Sequence, residues 1–261
     1  MNSTLTSFFS TFRPSPVVLV LRALYILILS ATANQASAQW PRSSNLQLLQ
    51  GSGYELGADK RTIATYEQIN ISDRGDFFLF ADISRPSSGN GTTAYGEATL
   101  RIKLPPIQSA PSRIKNLYAA SAIELGDEVH AYLIGLGSSL DVPGFDFFNL
   151  NLLLRKSYRD FVNKDTDVGG QLNINWRYPF GFAGGDWVFE GHLDFAFAED
   201  GGDRPKHDNV NSAPRLLLDV GRSFGKPNQL YAGVEYQFWR HKFGVKGVDE
   251  GVTQAMVKWV F

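Results

Sequence analysis

Glu190-x-His192-x-Asp194 is the densest run of chemically capable side chains in this 261-residue sequence. On an extended strand such spacing puts all three on one face, about 7 Å apart from one to the next. The residue types suit a metal ligand set or a hydrogen-bonded network, and a network is the default reading for three polar groups on one strand. The other histidines are His130, His207 and His241; His207 stands beside Asp208 in a polar stretch and is expected to be solvated. There is no cysteine, which excludes disulfides, Cys-liganded zinc, iron–sulfur clusters and thiol catalysis. No Gly-x-Ser-x-Gly elbow, phosphate-cradling loop or His-Glu-x-x-His occurs, and Gly137-Ser138-Ser139 lacks the strand–turn–helix setting of a nucleophile. A formal net charge of −1 argues against nucleic acid as a partner. No enzymatic role, metal or cofactor is expected.

The elements that would hold these residues are strands. Thr253, Ala255, Val257, Trp259 and Phe261 alternate with Gln254, Met256, Lys258 and Val260. Leu172, Ile174, Trp176 and Tyr178 alternate with Gln171, Asn173, Asn175 and Arg177, and Trp187, Phe189, Leu193, Phe195 and Phe197 stand opposite Glu190, His192 and Asp194. Period two with one apolar and one polar face marks half-buried strands. Twelve such stretches fall between turn signals: 42–54, 61–71, 76–85, 94–104, 115–125, 129–140, 145–157, 168–178, 186–199, 212–223, 228–240 and 250–261. The run from Glu199 to Lys206 reads as a polar loop. A soluble sandwich would turn the apolar faces inward, whereas a transmembrane barrel turns them to lipid. Strands of this length match the roughly 9–11 tilted residues that cross a bilayer. The aromatic residues near strand ends (Trp176, Tyr178, Trp187, Trp239, Trp259, Phe261) suit interface girdles. The expected fold is therefore all-β, an up-and-down transmembrane antiparallel β-barrel of twelve strands, closed because hydrocarbon cannot satisfy an open edge.

Ahead of the strands, Arg13 and Arg22 precede the apolar run Ala23–Ala31, and Ala36-Ser37-Ala38 offers a small-x-small cleavage site. Residues 1–38 are expected to be a cleaved signal peptide and 39–261 a single barrel domain. Cleavage would remove two Arg and no acid. The expected location is the outer membrane of a Gram-negative bacterium.

Several collinear segments carry a family resemblance. Tyr66-Glu67, then Gly75-Asp76-Phe77-Phe78-Leu79-Phe80-Ala81-Asp82, then Tyr95-Gly96-Glu97 and Gly135-Leu136-Gly137 with Val142-Pro143-Gly144-Phe145, follow one another in the order of the Tsx-type nucleoside-specific channels. Trp176-Arg177-Tyr178-Pro179-Phe180, Phe189 to Asp194 and Gly233-Val234-Glu235-Tyr236 complete the run. The resemblance extends from about residue 45 to 261. It implies a narrow, monomeric, passive porin-like channel passing nucleosides and deoxynucleosides. The terminal Phe261, with Trp259 two positions before it, resembles the assembly signal of outer-membrane barrels as a class. Periplasmic chaperones and the barrel-assembly machinery then join membrane lipid as expected partners.

With Phe261 outward, the polar face of each strand points to a lumen. The residues expected to meet solute there are Phe78, Phe80, Asp82, Glu97, Arg101, Arg177, Glu190, His192, Asp194, Tyr231, Glu235 and Trp239; Arg215 and Lys258 also point inward. Parity is open for 61–71 and 129–140. Aromatic faces stack on a nucleobase, carboxylates accept from ribose hydroxyls, and Arg donates to base carbonyls. The plainer alternative is that inward charges pair across strands and simply fill the barrel. Two other roles stay open, a surface or structural barrel without selective transport and an outer-membrane lipid hydrolase.

Overall fold

The computed structural model describes residues 42–88, 91–106, 113–160, 166–200, 202–203 and 206–261. The signal peptide expected over 1–38 lies outside these residues. Strands β1 (Arg42–Ser52), β2 (Lys60–Ser72), β3 (Gly75–Pro86), β4 (Thr93–Lys103), β5 (Ile114–Gly126), β6 (Val129–Leu140) and β7 (Phe147–Arg159) follow one another as antiparallel neighbours. They continue through β8 (Gly169–Phe182), β9 (Gly185–Phe197), β10 (Asn209–Ser212), β11 (Arg215–Asp219), β12 (Leu230–Arg240) and β13 (Glu250–Val260). β13 then pairs back onto β1, from Asn45 opposite Val260 to Gly51 opposite Gln254. That pairing closes a barrel and leaves no edge, so the whole backbone ladder is satisfied internally.

β10 and β11 are two halves of one stave. Asn211 faces Asp194 and Arg215 faces Glu190 in unbroken register. The gap is Ala213-Pro214: proline has no N–H to give the ladder, while its carbonyl still accepts from the Tyr236 N–H at 2.9 Å. The wall is therefore twelve-stranded, as the alternation predicts. Gly191 sits opposite this gap because any Cβ there would lie 2.6 Å from the Ala213 carbonyl oxygen. The tenth stave is displaced from expectation. It covers 209–219 rather than 212–223, and 221–224 form a 3-10 turn.

The faces are inverted relative to a soluble protein. Leu152, Leu154, Ile134 and Leu136 point outward and are 57–66% exposed. Each such side chain would cost about 1.5–3 kcal/mol to leave in water, so the surface they share belongs against hydrocarbon. Inside, Glu67, Arg101, Glu124, Arg155, Glu190, Glu235 and Lys258 are all buried. Trp259 and Phe261 sit on the outer face with ring centroids 5.1 Å apart. His130, Tyr132 and Tyr158 form a further outward aromatic group, the His130 and Tyr158 rings stacked at 4.9 Å.

Register decides the two open parities. Arg61, Ile63, Thr65 and Glu67 turn inward in β2, and Ala131, Leu133, Gly135 and Gly137 in β6. Four expectations need correction. The inner face of β5–β7 is apolar over Ala120, Ala122, Ala131, Leu133 and Leu153, because these side chains fill the barrel beneath the long Arg101 and Arg155. Trp239 points inward onto Lys242 and Phe243 and belongs to no girdle. The run after β9 is not merely polar: Glu199 and Lys206 are buried against Arg155 and Ser157. His207 packs its ring 5.4 Å from that of His241 instead of standing free in solvent.

Candidate functional site

Within the barrel a cavity of about 930 Å³ runs from Ser43, Asp76 and Phe147 at the end where β1 begins and β13 finishes, the terminal end, to Ser88, Glu128 and Phe243 at the opposite, loop end. Its polar lining divides into two groups with different chemistry.

The first group is a set of closed ion pairs. Arg215 donates through Nε to Glu235 and through Nη1 to Glu67, each at 2.6 Å. Lys258 donates to Glu190 at 2.5 Å and stands 3.9 Å from Glu67. The Arg215–Glu67 contact spans β12, β13 and β1 and forms a strut across one side of the lumen. Asn45 and Gln254 donate to the remaining carboxylate oxygens of Glu67 and Glu235. Arg101 grips Asp76 with two bonds of 2.8 and 2.7 Å and lies 4.5 Å over the Tyr118 ring. Nearer the loop end, Arg155 donates to Glu124 at 2.5 Å, to Gln171 at 2.6 Å and to Glu199 at 3.2 Å. Arg177 joins Glu190, Asp146 and the Tyr231 hydroxyl at the terminal end. These groups have spent their charge on one another and chiefly stiffen the wall.

The second group has no permanent cation. Asp82 accepts from the Thr65 hydroxyl at 2.5 Å, Glu97 from the Tyr95 hydroxyl at 2.6 Å, and Asp194 from Asn173 at 2.7 Å and Gln171 at 3.2 Å. His192 comes 3.8 Å from Asp194 and is an ionic partner only when protonated. Register fixes the placement: Phe80 lies opposite Glu97, and Asp82 opposite Tyr95. The rings of Phe78, Phe80 and Tyr95 therefore climb the wall as a ladder, with centroid steps of 6.1 and 5.8 Å, beside carboxylates that still have lone pairs to offer. Trp239 adds a buried Nε1–H with no partner among the described residues, and the buried Oδ1 of Asn151 is likewise open among them. No cluster of three or more metal-ligating side chains exists among the described residues.

Eleven of the twelve residues expected from sequence line this one cavity. Tyr231 is the exception. Its ring is packed in the apolar cluster with Val188 and Leu217, and its hydroxyl donates to Asn228 at 3.1 Å near the terminal mouth. Among the eleven, Arg101, Arg177, Glu190 and Glu235 belong to ion pairs, so the plainer, wall-filling reading describes them. Phe78, Phe80, Asp82, Glu97 and Trp239 do not, and His192 and Asp194 pair with each other only when the imidazole is protonated. Sequence reasoning left out Glu67, whose parity was open, and Tyr95, Arg215 and Lys258, which it turned inward or placed in a motif without a solute role.

Comparison with known proteins adds the deciding observation. Residues 39–259 match the family model described as "Nucleoside-specific channel-forming protein, Tsx". The chain belongs to the Tsx family. No curated protein matches it in sequence. Among solved structures, a KdgM porin is 12% identical, with 84% of this chain and 99% of that chain covered and a TM-score of 0.47. An outer membrane channel, COG4313 of Pseudomonas putida F1, is 10% identical, with 87% and 97% covered and a TM-score of 0.40. This Tsx-family chain is an outer-membrane β-barrel channel.

Proposed function

We propose that the channel selects nucleosides, passing them passively along the Phe78–Phe80–Tyr95 ladder. The observation that carries this reading is the juxtaposition of stepped rings with cation-free carboxylates at Asp82 and Glu97. A nucleoside has a flat base and a hydroxyl-bearing sugar and no charge. Stacking on an aromatic face is worth roughly 1–3 kcal/mol per base whatever the base. The sugar hydroxyls donate to carboxylate oxygens that no Arg or Lys already occupies. Steps near 6 Å let a base leave one ring as it meets the next, so each site stays weak enough to release its solute. The ion-paired side holds the wall rigid, and the ladder side meets the solute.

Export by residues 1–38 with cleavage after Ala38, barrel assembly prompted by the terminal Trp259 and Phe261, and action as a monomer complete the proposal. The test is uptake of radiolabelled nucleosides into liposomes carrying the refolded barrel. Phe78→Ala with Phe80→Ala is expected to abolish the preference for nucleosides over free ribose while leaving ion conductance intact. An unchanged preference would remove the ladder from the mechanism. If the wild-type barrel conducts ions but shows no preference for nucleosides, the role is that of a general pore.

A further inference from the structure

The outer face of the wall carries a charge pattern that the channel reading does not use. The acidic residues within the described strands turn inward, apart from Asp186, whose exposed carboxylate meets Arg222 at the terminal mouth, whereas Lys60, Arg85, Lys156 and Arg240 turn outward. Their sequence neighbours Arg61, Pro86 and Trp239 line the cavity, and Arg155 and Ser157 are buried inside, so alternation puts these four on the outside. All four sit at or near the loop end of their strands. Lys60, Arg85 and Arg240 are exposed. None of the four has an acidic partner among the described residues. Lys156 lies 5.5 Å over the Tyr158 ring and donates only to the neutral Thr166 carbonyl. At the terminal end the outward Lys115 is instead paired with Asp141 at 2.7 Å. Nearby loop acids are turned to backbone donors: Asp59 to Gly53, Asp208 to Ala198 and Asp249 to His241.

We infer that this outward belt of unpaired cations at the loop end docks phosphate-bearing lipid headgroups of the surrounding leaflet. Lys and Arg just beyond an apolar band lie at headgroup depth, where a charge costs little and each cation adds attraction to anionic lipid. β1 begins and β13 ends at the opposite end, and a barrel inserted from the side of export leaves those strand ends on that side. The belt therefore faces the far leaflet. An aromatic group above Lys156 supplies the amphipathic surface that interfaces favour.

The barrel purified in neutral detergent is titrated with diphosphoryl lipid A and with its dephosphorylated form, and bound lipid is counted by native mass spectrometry. The wild type is expected to prefer the phosphorylated lipid at least tenfold, and K115Q to keep that preference. The quadruple variant K60Q/R85Q/K156Q/R240Q is expected to lose it, with heat-modifiable gel mobility reporting barrel closure. Should the quadruple variant not close, R85Q and R240Q singly are each expected to weaken binding on the order of fivefold. Equal retention of the two lipids by the wild type, or an undiminished preference in the closed variants, overturns the inference. Displacement of bound lipid by equimolar inorganic pyrophosphate would reassign the belt to free phosphate and overturn it as well.

Discussion

Arg215→Met is the sharpest probe of how the wall is held. Arg215 places two charge-assisted bonds of 2.6 Å, on Glu235 and Glu67, with only 14%, 8% and 12% of the respective side chains exposed. Together with Glu190, Lys258 and Arg177 they form a set of three carboxylates and three cations. Methionine matches much of the aliphatic stem but strips Glu67 and Glu235 of their guanidinium, leaving Lys258, 3.9 Å from Glu67, as the nearest remaining cation. Breaking a buried pair on one side costs about 3–5 kcal/mol, because the partner's charge stays behind without compensation. Arg215→Lys keeps the charge but cannot fork to both carboxylates, so it should lose roughly half as much, about 1.5–2.5 kcal/mol. Adding Glu67→Gln to Arg215→Met removes one stranded charge and should recover about 1–2 kcal/mol. The assay is urea unfolding of the barrel in lipid vesicles, followed by tryptophan fluorescence and gel mobility. A loss below about 1 kcal/mol for Arg215→Met would mean that solvent already screens the cluster and that the strut contributes little.

Other outcomes follow from the same geometry. Asp82→Asn with Glu97→Gln should reduce cation selectivity and weaken nucleoside binding, read as reversal potential and uptake; unchanged values for both would show that these carboxylates do not face the solute. A nucleoside 5′-monophosphate should enter more slowly than its nucleoside, since its charge meets carboxylates without cations; equal rates in the uptake assay would contradict that. Gly191→Ala should destabilise the barrel by about 1–3 kcal/mol in urea unfolding, because its Cβ would press on the Ala213 carbonyl at 2.6 Å. Lys206, in the connection after β9, is pushed down to about 8 by burial, against the opposing pull of Glu199. The unfolded chain then holds the extra proton between pH 8 and the usual lysine range, so stability should rise with pH across that window. Lys206→Met should flatten the rise, and an identical pH slope in the variant would refute the assignment.

Most of the wall was legible because its signal is local. In β13 and β8 the alternation of greasy and polar residues survives over the full crossing, and strand and face follow from it directly. It failed where both faces share one character. β2 carries Thr65 and Glu67 inside but Tyr66, Gln68 and Asn70 on its other face, so parity could not be read. β6 carries Ala131, Leu133 and two glycines inside opposite Tyr132, Ile134 and Leu136 outside, which hides the lumen. In the tenth stave Leu216, Leu217 and Leu218 are apolar on both sides, and Pro214 splits the run. At the site, the type and direction of Phe78, Phe80, Asp82 and Glu97 could be read, but which charges are already neutralised could not. Glu67 and Arg215 are 148 residues apart and meet only after closure, and that meeting separates wall-stiffening charges from those facing solute.

Planar-bilayer recording of the refolded barrel, with nucleoside added to one side, tests the channel and its selectivity together. The expected result is a discrete conductance that falls saturably as nucleoside is added and responds weakly to ribose, with Phe78→Ala and Phe80→Ala abolishing the block. No conductance at all would contradict an open path through the barrel. A conductance that nucleosides never reduce would contradict the solute-facing role given to the aromatic ladder.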